Sequence, residues 1–226
     1  MIQFYLQAPF AVFRPFTTGT FRSTADFITF SAAYGLLLNI AGIEMRHDDG
    51  KSAMTVIKKG LPTVRLALGA LEFPRIHSLY QQLHNYPVGN TTGKDHAINT
   101  FGRKYNILPV RRQFLSGIRA YICMDSNPDL ETWVQEGLAG QRTRYGLPFL
   151  GDNNFLIDRL ELIKNPEPAY WFVPVKKEDG GFEEHTTSLT ITIDRKDMSR
   201  TRSKLYVPTR ERALTPPAEA WQEVKY

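Results

Sequence analysis

Residues 2–13 alternate apolar and polar side chains, with Ile2, Phe4 and Leu6 on one side and Gln3, Tyr5 and Gln7 on the other. A period of two, rich in aromatic residues, specifies a strand with one buried face. The pattern returns over residues 64–73, where Val64, Leu66 and Leu68 oppose Arg65, Ala67 and Gly69, and over residues 113–124, which carry Phe114, Ile118, Tyr121 and Ile122. Such strands need a cover for their apolar face, and two helical segments supply it. The first is expected over residues 24–43, with Phe27, Phe30, Tyr34, Leu37 and Ile40 at helical spacing and Ser23-Thr24-Ala25-Asp26 as its capping start. Gly35 inside it weakens the helix by ~1 kcal/mol relative to Ala, so a close approach to its backbone is expected. The second helix starts at Asn127-Pro128-Asp129-Leu130, where Asn127 can cap, and ends near Gly137 or Gly140. A fourth strand is expected over residues 155–163.

This order, β-α-β-insert-β-α-β, predicts an α+β fold: a ferredoxin-like (RRM-like) βαββαβ core with both helices on one face of an antiparallel sheet. RNA-recognition modules share the plan, though a plan alone does not imply RNA binding. The insert, residues 74–112, joins the second and third strands. It has little apolar periodicity and contains Tyr86-Pro87-Val88-Gly89-Asn90-Thr91-Thr92-Gly93, a flexible-tip signature. After Pro166 and Pro168 the character changes. Residues 170–175 and 187–193 read as strands joined by a hairpin turn at Asp179-Gly180-Gly181, and residues 203–207 as another short strand. From Pro216 on, an irregular tail is expected apart from the Trp221 region. The chain thus divides into a core of residues 1–165 and a small C-terminal β extension, 166–226.

Charge is segregated. Residues 75–119 hold seven Lys or Arg against Asp95, and residues 195–212 hold seven against Asp197 and Glu211. The net charge is +5, so the remainder of the chain is negative. A polyanionic partner held at defined places follows from such a pattern. The lone cysteine, Cys123, excludes a disulfide scaffold and fits a reducing cytoplasm. The longest apolar stretch, residues 32–43, is interrupted by Asn39 and covers about half the ~20 residues of a membrane span. The start, Met1-Ile2-Gln3-Phe4-Tyr5, lacks a basic signal-peptide segment. A soluble, cytoplasmic protein without a membrane is expected.

Several chemistries find no support. The histidines, His47, His77, His84, His96 and His185, follow no ligand spacing, so no metal is expected. Phosphate-loop and dinucleotide glycine motifs are missing, as is a serine elbow, and no cofactor is expected. Cys123, between Ile122 and Met124, reads as core. Metal-independent RNA cleavage needs a base, an acid and a cation near the phosphate. Lys94-Asp95-His96, with Tyr34, Tyr80 or Tyr105, could supply them. RNA binding has two candidate stretches. Arg14-Pro15-Phe16-Thr17-Thr18-Gly19-Thr20-Phe21-Arg22 joins cations, hydroxyls and stacking rings just before a helix N-terminus, where amides favour a phosphate. Arg142-Thr143-Arg144-Tyr145-Gly146-Leu147-Pro148-Phe149-Leu150-Gly151-Asp152-Asn153-Asn154 sets two arginines, a tyrosine and two glycines between helix and strand.

Three N-terminal segments, Ala8-Pro9-Phe10-Ala11-Val12-Phe13-Arg14-Pro15-Phe16, Phe21-Arg22-Ser23-Thr24 and Ser31-Ala32-Ala33-Tyr34-Gly35-Leu36-Leu37, together resemble the start of the fifth CRISPR-associated (Cas) protein family. Tyr145-Gly146-Leu147-Pro148-Phe149-Leu150-Gly151-Asp152-Asn153 is similar to its later glycine-containing signature. The look is that of the type I-B, or Myxococcus-type, branch, and it covers residues 1–163. The resemblance implies a non-catalytic subunit of the type I Cascade surveillance complex with a β-hairpin thumb, which residues 74–112 would form. It implies that the subunit caps the 5′ handle of crRNA, packs on the last backbone subunit and touches the large subunit, meeting target DNA near the PAM indirectly. The type I-C branch differs, for its member cuts precursor crRNA with a Tyr-Lys-His set. Here Asp95 lies between Lys94 and His96, and an acid there would pair with the imidazole and offset the lysine. Binding is therefore expected, with metal-independent processing of precursor crRNA as the alternative. The residues expected at the RNA are Arg14, Phe16, Thr17, Thr18, Phe21, Arg22, Thr24 and Ser31, then Lys94, His96, Arg103, Lys104, Arg111 and Arg112 of the thumb, and Arg142, Arg144, Tyr145 and Asn153.

Overall fold

The structure, a computed structural model, describes residues 1–15, 20–51, 55–84, 107–176 and 184–226. Strands β1 (Ile2–Ala11) and β2 (Phe21–Arg22) precede helix α1 (Phe30–Ile40). A short ribbon, β3 (Arg46–His47) and β4 (Val56–Ile57), leads to β5 (Val64–Glu72), β6 (Arg75–His84) and β7 (Ile107–Asp125). Helix α2 (Pro128–Leu138) and β8 (Arg159–Leu162) follow, then β9 (Tyr170–Pro174), β10 (Thr187–Thr192), β11 (Arg202–Pro208) and β12 (Gln222–Val224).

The four strands read from alternation lie side by side in the order β8-β1-β7-β5, all antiparallel. Their even-numbered residues (Phe4, Leu6, Leu66, Leu68, Ile122, Met124) share one core with Leu37, Ile40, Leu130 and Val134 of the two helices. The opposite face carries a smaller cluster around Ala67, Tyr121, Cys123 and Trp171. Helix α2 starts where its sequence places it: Asn127 Oδ1 accepts the Leu130 amide at 2.9 Å, and Pro128 opens the helix. No described helix is long and apolar enough to cross a membrane.

Helix α1 departs from expectation at its start. It begins at Phe30, with Thr29 rather than Ser23 or Thr24 capping it through the Ala32 amide. Residues 24–29 are a packed connection, because burying Phe27 and Ile28 outweighs local helix propensity there. Phe27 stacks on Phe172 at 4.6 Å, and the Asp26 amide donates to Thr187 Oγ1. The close approach expected at Gly35 is also not found. A Cβ there would meet the Met45 sulfur at 3.5 Å, an ordinary contact.

The C-terminal strands continue the same sheet. β9 joins the outer side of β5, then β11, then β10. The expected turn at Asp179-Gly180-Gly181 lies outside the described residues, and β9 and β10 do not pair as a hairpin, because β11 lies between them and pairs with both. Tyr206 of β11 is buried against Phe30 at 5.0 Å, which ties this pairing to the start of α1. The ordered part of the tail is the region around Trp221, excepted above: there β12 pairs with Val64–Leu66 of β5 and buries Val224.

The insert is the arm of a β-hairpin. β6 and the first half of β7 pair through ten rungs, from Arg75↔Ser116 to His84↔Ile107, and residues 85–106 lie outside the described part. Where this arm leaves the sheet, the core-facing residues change parity. Ile118 and Ala8 face the helices, but so do Leu115 and Ala11. Gly117, at φ +74°, stands opposite Pro9 and supplies the left-handed residue that such a turnover of the strand needs.

Candidate nucleic-acid interface

Three segments far apart in sequence meet at the base of the hairpin arm. β2 runs parallel to β7, setting Phe21 beside Arg111 and Arg22 beside Arg112. The segment after α2 closes over the end of β1: the Val12 amide donates to the Leu150 carbonyl at 3.1 Å, and the Leu150 amide to the Phe155 carbonyl at 2.8 Å. Gly151 makes that approach possible. It sits at φ +79°, and a Cβ there would fall 1.6 Å from the Val12 carbonyl oxygen.

Asp152, the next residue, gathers the cations. Its Oδ2 accepts from Arg14 Nη2 at 3.1 Å and from Arg112 Nη2. Burial alone would raise the Asp152 carboxyl. The hydrogen bond and charge of Arg112, with the charge of Arg14, overcome this and hold it below the usual range. Arg112 also donates to Gln81 Oε1 at 3.3 Å and lies 5.9 Å over the Phe155 ring. Phe155 belongs to a set of rings with Phe10 and Phe114, and His77 stacks on Phe114 at 5.2 Å. Phe10 and Phe21 are left 43% and 48% exposed, and Tyr80 on the arm 79% exposed. The result is a patch of guanidinium groups and open ring faces, the chemistry that grips unpaired nucleotides.

The expected residues divide as follows. Arg14, Arg22, Arg112 and the exposed Asn153 gather around Asp152, and Phe21 and Arg111 lie on the other face of β7 at the same level. Arg111 Nε donates to Ser78 Oγ at 2.9 Å on the other face of β7 from Arg112. Thr24 and Ser31 are turned inward. The Thr24 hydroxyl accepts the Phe13 amide and donates to the Ala25 carbonyl, and Ser31 Oγ sits 3.1 Å from Thr29 Oγ1. The α1 N-terminus packs with them, with Thr29, Phe30 and Ser31 all buried. Arg142 and Arg144 serve the helix ends. Arg142 Nε donates to the Ala41 carbonyl at 2.6 Å and Nη1 to Glu136, with the guanidinium over Trp133, while Arg144 donates to the Gly137 carbonyl at 3.1 Å. Tyr145 is exposed near them. Phe16, Thr17, Thr18, Lys94, His96, Arg103, Lys104 and Tyr105 lie outside the described residues. Of the tyrosines considered for catalysis, Tyr34 is buried, stacks on Tyr226 and donates to the Pro62 carbonyl at 2.8 Å. Among the described residues no three His, Cys, Asp or Glu side chains gather to hold a metal.

Asp152, Phe10, Phe114 and Phe155 were not expected at the site. The acid stands inside the glycine-containing stretch after α2, but nothing local in the sequence announces its pairing with Arg14 and Arg112.

The family model described as CRISPR-associated protein (Cas_Cas5) matches residues 1–156. The chain belongs to this Cas5 family. The match spans β1 through Leu156, and so includes the whole patch. No curated protein matches the sequence. A solved chain described as "CRISPR RNA-guided surveillance complex" superimposes with a TM-score of 0.58 at 14% identity, covering 97% of this chain and 95% of that one. This shows a shared fold. A second, "Crystal structure of Cas protein", has a TM-score of 0.49 at 13% identity, covering 92% and 93%. The Cas5 chain is thus a mixed α/β protein, its sheet mostly antiparallel, and the C-terminal strands beyond the family match fall within the span shared with the first solved chain.

Proposed function

We propose that this Cas5 chain is a non-catalytic subunit of a type I Cascade complex that holds the single-stranded 5′ handle of crRNA at the base of its hairpin arm. The observation that carries the reading is the convergence at Asp152 and β7. Arg14, Arg22 and Arg112 on one face of β7, and Phe21 and Arg111 on the other, bracket the base of the arm, and Asp152 of the later glycine-containing segment joins Arg14 to Arg112. Arg14, Arg111 and Arg22 face the RNA phosphates, and Phe10 and Phe21 offer ring faces for splayed bases. Arg112 acts from beneath, fixing the loop through Asp152. The strand order β8-β1-β7-β5 supports the ferredoxin-like plan for residues 1–165, with residues 166–226 extending its sheet. Exposed apolar side chains support docking on neighbouring subunits: Phe149 and Leu156 face each other across an isolated bridge, and Ile76 lies on the arm. The backbone and large subunits are the partners the reading calls for, in the cytoplasm, with target DNA met through the assembly.

Co-purification with a tagged backbone subunit and crRNA tests this. Arg14→Ala with Arg111→Ala should lower crRNA retention, and the log–log salt slope of binding should fall by about 0.7 for each phosphate that is no longer neutralised. Retention at the wild-type level across a salt series would exclude the patch. Cleavage of repeat RNA by the purified chain in EDTA would exclude a purely binding role.

A further inference from the structure

We propose that a second basic cleft, at the opposite end of β7 from Arg111 and Arg112, binds the phosphate backbone of duplex DNA. The cleft is about 890 Å³ and is built from segments far apart in sequence. Lys58 and Lys59 come from the end of the β3–β4 ribbon, Arg195, Lys196 and Arg200 from the turn after β10, and Lys225 from beyond β12. Its lining holds one acidic side chain, Asp194. Asp194 Oδ1 is already used within its own turn, accepting the amides of Lys196 at 2.9 Å and Asp197 at 3.0 Å. Asp49 and Asp197 at the margin reach Lys196 at 3.5 Å and Arg200 at 3.2 Å. Lys58, Lys59 and Lys225 have no acid within ion-pair distance among the described residues.

Arg195 is held rigidly, its Nε donating to the Thr55 carbonyl at 2.6 Å. Burial, and then the neighbouring Arg46, make its positive charge harder to keep. Like charges gathered in this way repel one another, and a polyanion relieves the repulsion.

The cleft offers many cations and a single open ring, the exposed imidazole of His47. Its two lining rings are His47 and Tyr226, and Tyr226 is turned inward, stacked on Tyr34 with its hydroxyl accepting the Ile193 amide. Single strands are gripped by combining cations with open aromatic faces, whereas a duplex offers closely spaced phosphates to cations alone. The position makes this a separate site. β12 pairs with the same end of β5 that faces Asp125, thirteen residues along β7 from Arg112, a path of at most about 40 Å at ~3.3 Å per residue. This inference does not rest on the reading of the hairpin base.

The test uses the full chain, a labelled random-sequence duplex and a labelled single-stranded RNA, followed by fluorescence polarisation over a salt series. Lys58→Ala, Lys59→Ala and Lys225→Ala together should weaken duplex binding at least about tenfold. The log–log salt slope should fall by about 2.7, three phosphates at ~0.9 each. Binding of single-stranded RNA should be unchanged. If the triple variant melts early, the exposed Lys59→Glu alone should give the same loss with a smaller change in slope. Unchanged duplex affinity and slope in folded variants would overturn the proposal. So would a polyglutamate peptide of equal charge that binds the wild-type chain more tightly than the duplex and is released by the same variants, which would make the cleft a seat for an acidic protein segment.

Discussion

Arg111 and Arg112 differ in what surrounds them. Arg112 donates to Asp152 and Gln81 and lies over Phe155, with a side chain only 11% exposed. Arg111, on the other face of β7, donates to Ser78 in an exposed setting. Arg112→Ala should therefore destabilise the protein by about 1.5–3 kcal/mol, the scale of charged hydrogen bonds removed from a partly buried group. Arg111→Ala should stay within about 0.5 kcal/mol, yet weaken RNA binding more directly. Thermal melts beside a salt-dependent binding curve separate the two. Asp152 makes its own contribution to the pH response. Its carboxyl binds a proton less readily folded than unfolded, so the unfolded chain protonates first as the solution is acidified. The stability it contributes is complete above the unfolded value of about 4 and is lost as pH falls through the depressed folded value. Asp152→Asn should lower the melting midpoint at neutral pH and flatten its decline between about pH 4 and lower values, as a pH series of melts would show. Arg14, Phe21, Arg22, Arg111 and Arg112 were legible because they cluster along the chain, whereas the rings of Phe10, Phe114 and Phe155 come from three separate strands and segments. The anchor of the arginines was not legible either, since Asp152 reaches Arg14 across 138 positions and Arg112 across 40. Thr24 and Ser31 show the converse. A hydroxyl that suits a cap or a phosphate is visible in a sequence, whereas the packing that turns it inward is not.

At the scale of elements, alternation and capping located β1, β5, α2 and the sheet half of β7 closely, because each carries its own periodic signal, whereas residues 107–112 at the start of β7 fall within the segment assigned to the insert. α1 begins later than its capping residues suggest, since Phe27 and Ile28 are drawn into the core. The order β10-β11-β9 had no local signature, because pairing between short strands is decided by register against Tyr206 and by the edge that β5 leaves open. Helix α1 itself is held by burial. Leu37→Ala should cost about 2–5 kcal/mol through the cavity it leaves, measured by denaturant unfolding. Gly35→Ala should act the other way and stabilise by up to about 1 kcal/mol, since ordinary space awaits its methyl group beside Met45. A loss of stability on that substitution would mean that the helix is packed more tightly than the 3.5 Å contact indicates.

For the whole molecule, the C-terminal strands share one core with the first half of the chain: Phe172, Leu189, Ile191, Tyr206 and Val224 all pack into the cluster built on β1 and α1. Deleting residues 222–226 should therefore lower the melting temperature, although the tail is only a few residues long. It would uncover the edge of β5 at Val64–Leu66 and remove the ring stacked on Tyr34, and size-exclusion chromatography should register the bared edge as self-association. β7 belongs to no single part of this architecture. Its nineteen residues run from the hairpin arm through the centre of the sheet to the turn before α2, about 60 Å at ~3.3 Å each. A single strand that spans both parts, turned once at Gly117, acts as a ruler. Whatever grips the arm at one end is set at a fixed spacing and angle from whatever rests at the other, and two added or removed residues would shift that spacing by about 7 Å while keeping every side chain on its original face.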